Sequence, residues 1–136
     1  KESDFISLHV PLTVETYHLI DNQKLKKMKR NAILVNTSRG QIVDENDLAD
    51  TLEEGLISGA GIDVFSSEPL PRDSRISKLK NVVLTPHIGS ATHHTRNLMS
   101  EISVRNLLKV LKGENPFYLF NPEVMKVKSL SSIKMF

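Results

Sequence analysis

Residues 32–64 decide the fold: Ala32-Ile33-Leu34-Val35 is apolar, Asn36-Thr37-Ser38-Arg39-Gly40 is a polar turn, Asp44-Glu45-Asn46-Asp47 opens a helical pattern, and Ala60-Gly61-Ile62-Asp63-Val64 is apolar again. Short apolar runs bounded by polar or glycine residues read as buried strands. Asp44 is placed to cap a helix, with Glu45 and Asp47 in the first turn, where the helix dipole favours negative charge. Leu48 and Leu52 then share one face, and Gly55 stands where a helix commonly stops. Strand, capped helix, strand is the unit of a parallel sheet.

The same grammar extends both ways. Phe5-Ile6-Ser7-Leu8 and Val82-Val83-Leu84 read as two further strands. Asp21 is placed to cap a short helix carrying Leu25 and Met28, and residues 67–80, with Pro69 and Pro71, read as a loop. A long helix is expected from Thr92 to Lys112, ended by Gly113 and Pro116. Its stripe of Leu98, Ile102, Val104, Leu107, Leu108 and Leu111 is read as core packing. The tail from Phe117 has apolar residues without a period and is read as a strap, its last Ser- and Lys-rich residues as disordered. The expected class is α/β, a parallel sheet with flanking helices.

The bulk properties narrow the function. The chain has 136 residues, 39% hydrophobic and 25% charged, which suits a globular domain. A formal net charge of +2 is too mild to argue for nucleic acid or a membrane surface. With no cysteine, thiolate nucleophiles, disulfides and Cys-ligated zinc are excluded. No apolar run approaches the roughly 20 residues of a spanning helix. A cytoplasmic location, with neither nucleic-acid nor membrane partners, is therefore the expectation. The opening Lys1-Glu2-Ser3 begins no recognisable element and reads as the edge of something longer.

In open parallel sheets, ligands bind outside the carboxyl ends of the strands. Arg39 follows the second strand, Glu68 the third and His87 the fourth. Arg39 offers a planar fork of donors that matches a carboxylate. His87 exchanges a proton near neutral pH, and Glu68 beside it would hold the ring and favour its charged form. Singly, each is more often a solvated or structural residue. Three complementary types at successive strand ends suggest reduction of a carbonyl in a carboxylate-bearing substrate.

These residues resemble a known family. Asn36-Thr37-Ser38-Arg39-Gly40, Gly61-Ile62-Asp63-Val64-Phe65 with Glu68-Pro69-Leu70-Pro71, and Thr85-Pro86-His87-Ile88-Gly89-Ser90 are similar to the motifs of D-isomer-specific 2-hydroxyacid dehydrogenases. The run from His87 to Thr92 resembles glyoxylate/hydroxypyruvate reductases, and Phe120 to Val124 resembles ketogluconate-type reductases. The resemblance implies that residues 1–113 are the C-terminal part of a Rossmann-type NAD(P)-binding domain, and 114–136 a strap returning toward a substrate domain. Catalysis would fall to His87 as proton donor, Glu68 as its partner and Arg39 as carboxylate anchor. Asp63 would meet the nicotinamide carboxamide, Pro11 and Thr37 would lie along the cofactor, and Gly89 near the nicotinamide. Ile88 and Ser90, with Arg39 and His87, would border the substrate.

The resemblance also implies a longer, homodimeric parent that uses NAD or NADP to interconvert a small 2-oxo acid and its D-2-hydroxy acid. A G-x-G-x-x-G turn leading from strand to helix is not among these residues; Gly59-Ala60-Gly61 enters a strand instead. This stretch alone is therefore expected to be inactive. A non-catalytic, cofactor-binding relative, a sensor or corepressor-like scaffold, would carry the same three residues. The basic cluster Lys24, Lys26, Lys27, Lys29 and Arg30 reads as a solvated helix face. His93-His94 reads as helix surface rather than a metal site, and no metal is expected.

Overall fold

Phe5–Leu8 forms β1, Ile33–Asn36 β2, Gly59–Ile62 β3 and Val82–Leu84 β4 in the computed structural model, which describes residues 1–127. The sheet order is β1-β2-β3-β4 and every pairing is parallel. One row runs Ser7, Val35, Gly61, Val83 across all four strands. β1 and β4 fall where their apolar runs predict, whereas β2 and β3 shift by one or two residues. Asn36 thereby enters the ladder as the last residue of β2.

The connections sit on one face. Helix α1, Asn22–Leu25, is capped by Asp21, whose side chain accepts the Lys24 amide, and the Asn22 amide is taken by Asp47 Oδ2 at 2.8 Å. Helix α2, Glu45–Glu53, begins at Asp44, whose Oδ1 accepts the amides of Asn46 and Asp47 at 3.0 and 3.1 Å. It stops before Gly55, which has φ +64°, a left-handed turn that costs glycine little. Leu25, Leu34, Leu48, Leu52, Ile57 and Ile62 are buried between these helices and the sheet. Each contributes about 1.5–3 kcal/mol of burial. On the other face of the sheet Phe5 and Val83 are exposed.

Three expectations need correction here. Met28 lies beyond α1, which ends at Leu25, so of the Lys24–Arg30 cluster only Lys24 lies on a helix and the rest lie in the connection after it. Two of its lysines are paired, Lys24 with Asp21 and Lys29 with Asp4. The presumed loop 67–80 contains a 3-10 turn, Arg75–Lys78. Ile76 plugs the core from this turn, while Arg75 binds Asp50 and Glu53 at 2.6 and 2.8 Å.

Lys1–Gly89 forms one compact unit, and a second begins at Ser90. The second carries the long helix α3, His93–Leu111, capped by Thr92, whose Oγ1 accepts the Thr95 amide at 3.1 Å, and followed by Gly113 at φ +75°. No residue of α3 is buried, so the stripe Leu98–Leu111 is not core packing. Periodicity marks which face of a helix is apolar, and among the described residues nothing covers this one. Asn106 instead ties α3 to the following segment: its Oδ1 accepts the Phe117 amide at 3.0 Å and its Nδ2 donates to the Tyr118 carbonyl at 3.1 Å. A short helix α4, Val124–Val127, follows in the stretch read as aperiodic. The tail expected to be disordered lies outside the described residues.

Candidate active site

The carboxyl edge of the sheet is where the three titratable side chains gather. Arg39 leaves β2, Glu68 follows β3, and His87 follows β4; all three line one cavity of about 280 Å³ together with Gln41 and Phe65. His87 Nδ1 lies 2.8 Å from Glu68 Oε2. An ionised carboxylate can only accept, so Nδ1 carries the proton of this bond, and Nε2 is the ring nitrogen able to exchange a proton with a substrate. The other oxygen, Oε1, accepts the Phe65 amide at 3.0 Å. The hydrogen bond from His87, then that from Phe65, holds the Glu68 carboxyl below the usual carboxylate range, and the positive charge of Arg39 acts in the same direction. Glu68 and His87 also border a second, largely apolar cavity of about 320 Å³ walled by Leu70, Leu84 and Pro86.

The backbone that presents these groups is specific. His87 has φ +54°, a left-handed conformation that costs a non-glycine residue about 1–2 kcal/mol. Its amide donates to the Asp63 carbonyl at 2.8 Å. The buried Asp63 side chain ties down the rest of that turn. Oδ1 accepts the Thr85 hydroxyl and, at 2.9 Å, the Ile88 amide; Oδ2 accepts the Gly89 amide at 2.8 Å. Burial alone would push the Asp63 carboxyl up. The bonds from Thr85, Ile88 and Gly89, with the charge of His87, outweigh it and hold the carboxyl below its ordinary value.

The Arg39 turn is shaped by close approach. A Cβ on Gly40 would stand 2.0 Å from the Phe65 carbonyl carbon and 2.4 Å from the Ser66 nitrogen, both backbone atoms that cannot swing aside. Only glycine lets the turn after β2 press against the turn after β3. Gln41 and Glu45 seal the same seam: Gln41 Nε2 donates to the Ser66 carbonyl at 3.1 Å and Glu45 Oε1 accepts the Ser66 amide at 2.6 Å.

The remaining expected site residues distribute as follows. Pro11 and Thr37 are exposed on the loops that leave the neighbouring strands β1 and β2. Ile88 and Gly89 are exposed in the turn that Asp63 holds, and a Cβ on Gly89 would come within 3.2 Å of Asp63 Oδ2. Ser90 opens the second unit and is not placed with the others. Asp63 is turned inward, with three donors on its two oxygens, so a carboxamide would have to share an oxygen already bonded. Sequence reasoning missed Asn36, Thr85, Gly40 and Gln41 as builders of the site. Asn36 carried one signal, a buried amide closing an apolar run. No group of three or more His, Asp or Glu able to hold a metal occurs among the described residues, and no described helix is long and apolar enough to cross a membrane.

Comparison with known proteins gives the geometry a context. The family described as D-isomer specific 2-hydroxyacid dehydrogenase, NAD binding domain, matches residues 1–89. A glyoxylate reductase of Thermofilum pendens is 53% identical over 135 residues, which is 99% of this chain and 40% of that protein. The NAD complex of a D-isomer specific 2-hydroxyacid dehydrogenase from Lactobacillus delbrueckii ssp. bulgaricus superposes with a TM-score of 0.80 at 36% identity, covering 89% of this chain and 41% of that one. The NADPH-dependent glyoxylate/hydroxypyruvate reductase of Sinorhizobium meliloti, with NADP and malonate, gives 0.76 at 37% identity, covering 82% and 35%. The chain thus spans about 40% of the length of the curated relative it matches.

Proposed function

The chain belongs to the D-isomer specific 2-hydroxyacid dehydrogenases, and from that premise we propose that it supplies the nicotinamide-side half of an active site reducing a small 2-oxo acid, glyoxylate or hydroxypyruvate, to its D-2-hydroxy acid. The observation that carries this reading is the 2.8 Å bond between His87 and Glu68 in a cavity that Arg39 also lines.

Pro11, Thr37 and Gly89, exposed beyond β1, β2 and β4, would hold the cofactor, NAD or NADP. When bound, the reduced cofactor supplies the hydride. Arg39 grips the substrate carboxylate with its planar fork and orients the carbonyl. As negative charge grows on the carbonyl oxygen, His87 Nε2 delivers a proton to it. Glu68 keeps the imidazole ring in place through Nδ1 and balances its charge. Asp63 holds the turn beneath, and Ile88 borders the substrate.

The stretch 114–136 is proposed as a strap returning toward a substrate domain; in its described part Phe117 and Tyr118 are anchored on Asn106, and residues 128–136 lie outside the described residues. The parent enzyme is proposed as a homodimer; the exposed apolar residues of α3 support an interface. Its place of action is proposed as the cytoplasm, where reduced nicotinamide cofactors are available. The test is a reductase assay of the complete polypeptide that carries these residues, with glyoxylate or hydroxypyruvate and either reduced cofactor. Absence of turnover with both acids would remove the catalytic reading and favour a cofactor-binding scaffold. Residues 1–136 alone are expected to be inactive.

A further inference from the structure

We propose that Asn36 is the positioning residue of Arg39: its buried side chain sets where the guanidinium stands and so sets the affinity for the substrate carboxylate. The inference rests on the reading of Arg39 as the carboxylate anchor.

Asn36 closes β2 opposite Ile62 and is 1% exposed. Its neighbours on the covered face of the sheet are Leu34, Ala60 and Ile62, so an apolar residue would suit the site, and a buried amide is costly unless bonded. The amide is bonded entirely to the turn that carries Arg39. Oδ1 accepts the Ser38 amide at 3.1 Å and the Ser38 hydroxyl at 3.0 Å, and Nδ2 donates to the Arg39 carbonyl at 2.9 Å. The grip reaches the guanidinium by two routes. Through the main chain, Asn36 fixes the Arg39 carbonyl, which also accepts the Ile42 amide at 3.2 Å. Through Ser38, it fixes the residue whose carbonyl accepts Arg39 Nη1 at 2.6 Å. Donor and acceptor ends of one amide thus set both the root and the head of the arginine.

A side chain that only filled the core would affect stability and leave substrate affinity alone. A side chain that places Arg39 acts on KM for the acid. The experiment is steady-state glyoxylate reduction by the complete polypeptide, with unfolding midpoints, for Asn36→Leu, Asn36→Asp, Ser38→Ala and Arg39→Lys. Asn36→Leu removes all three bonds with little change of volume. Asn36→Asp keeps the bonds from Ser38 but sets an oxygen against the Arg39 carbonyl. Both are expected to raise KM for glyoxylate about tenfold, with kcat within about twofold and KM for the cofactor unchanged. Ser38→Ala, which leaves the core intact, is expected to raise KM by about two- to threefold even if both Asn36 variants fail to fold.

An unchanged glyoxylate KM in a folded Asn36→Leu, beside a raised one in Arg39→Lys, would overturn the positioning role and leave the anchor standing. An equal rise in the cofactor KM would also overturn it, assigning the turn to the cofactor instead. If Arg39→Lys itself left KM unmoved, the anchor reading would fall, and this inference with it.

Discussion

Gly40 and Phe65 touch backbone to backbone, so closely that a Cβ on Gly40 would stand 2.0 Å from the Phe65 carbonyl carbon. The contact joins the turn that carries Arg39 to the turn that carries Glu68, and so brings the proposed carboxylate anchor and the proposed general-acid pair into one cavity. Gly40→Ala forces the two turns apart. Overpacking of this kind costs about 1–3 kcal/mol, and the upper end is expected because only backbone atoms can yield. The complete enzyme should lose at least about tenfold in kcat/KM through Arg39, since small misplacements of positioning groups are expensive. Chemical denaturation and steady-state kinetics measure the two effects; wild-type values in both would refute the seam.

A second prediction concerns the left-handed backbone of His87. His87→Ala and His87→Gly both remove the imidazole, and both should lose roughly 10² to 10⁴-fold in kcat. They should differ in stability. Alanine keeps the strain at φ +54° and glycine relieves it, so the glycine variant should be more stable by about 1 kcal/mol. Thermal unfolding of the two compares them directly, and an alanine variant as stable as the glycine one would argue against strain.

Glu68→Gln tests the charge of the pair. Glutamine can still accept the Nδ1 proton but no longer faces the imidazole with a negative charge. The imidazolium side of the pair loses its counter-charge, so kcat for reduction should fall several-fold while KM for the acid changes little. Steady-state kinetics measure this, and an unchanged kcat would mean that Glu68 only orients the ring.

The fourth prediction follows from Asp63. Its carboxyl is depressed in the folded chain, so the stability it contributes is fully present above the ordinary aspartate value of 3.8 and fades as pH falls through the lower folded value. Asp63→Asn should be less stable at neutral pH, because an amide nitrogen would confront one of the donors from Thr85, Ile88 or Gly89. The gap to wild type should narrow in acid, from about 3.8 down through the lower folded value, as wild-type Asp63 takes up its proton. Denaturation curves across that range decide it, and a constant gap would show that ionised Asp63 does not hold the turn.

Much of this arrangement was readable from residue order, for identifiable reasons. β1 and β4 are apolar runs with sharp polar borders, and α2 is announced at both ends, by Asp44 and by Gly55. Arg39, Glu68 and His87 follow from asking what leaves each strand. The Arg75–Lys78 turn was not readable, since one turn has no period to detect. The exposure of α3 was not readable either, because spacing reveals an apolar face but not whether a partner covers it. Asn36 and Gly40 escaped for a different reason: they act through the backbone of other residues, and that relation exists only after the strands have been laid side by side.

Strand register carries a last consequence. Arg39, Glu68 and His87 leave three different strands, and their mutual distances depend on the pairing of Val35 with Gly61 and of Gly61 with Val83. A slip of one residue in either pairing would carry one partner about 3.3 Å along its strand and turn it to the opposite face. The sheet therefore works as a vernier for the chemistry. A substitution deep in the ladder, remote from any substrate, can present itself as a dead enzyme that is still folded, and the lesion would be one of alignment rather than of reactivity.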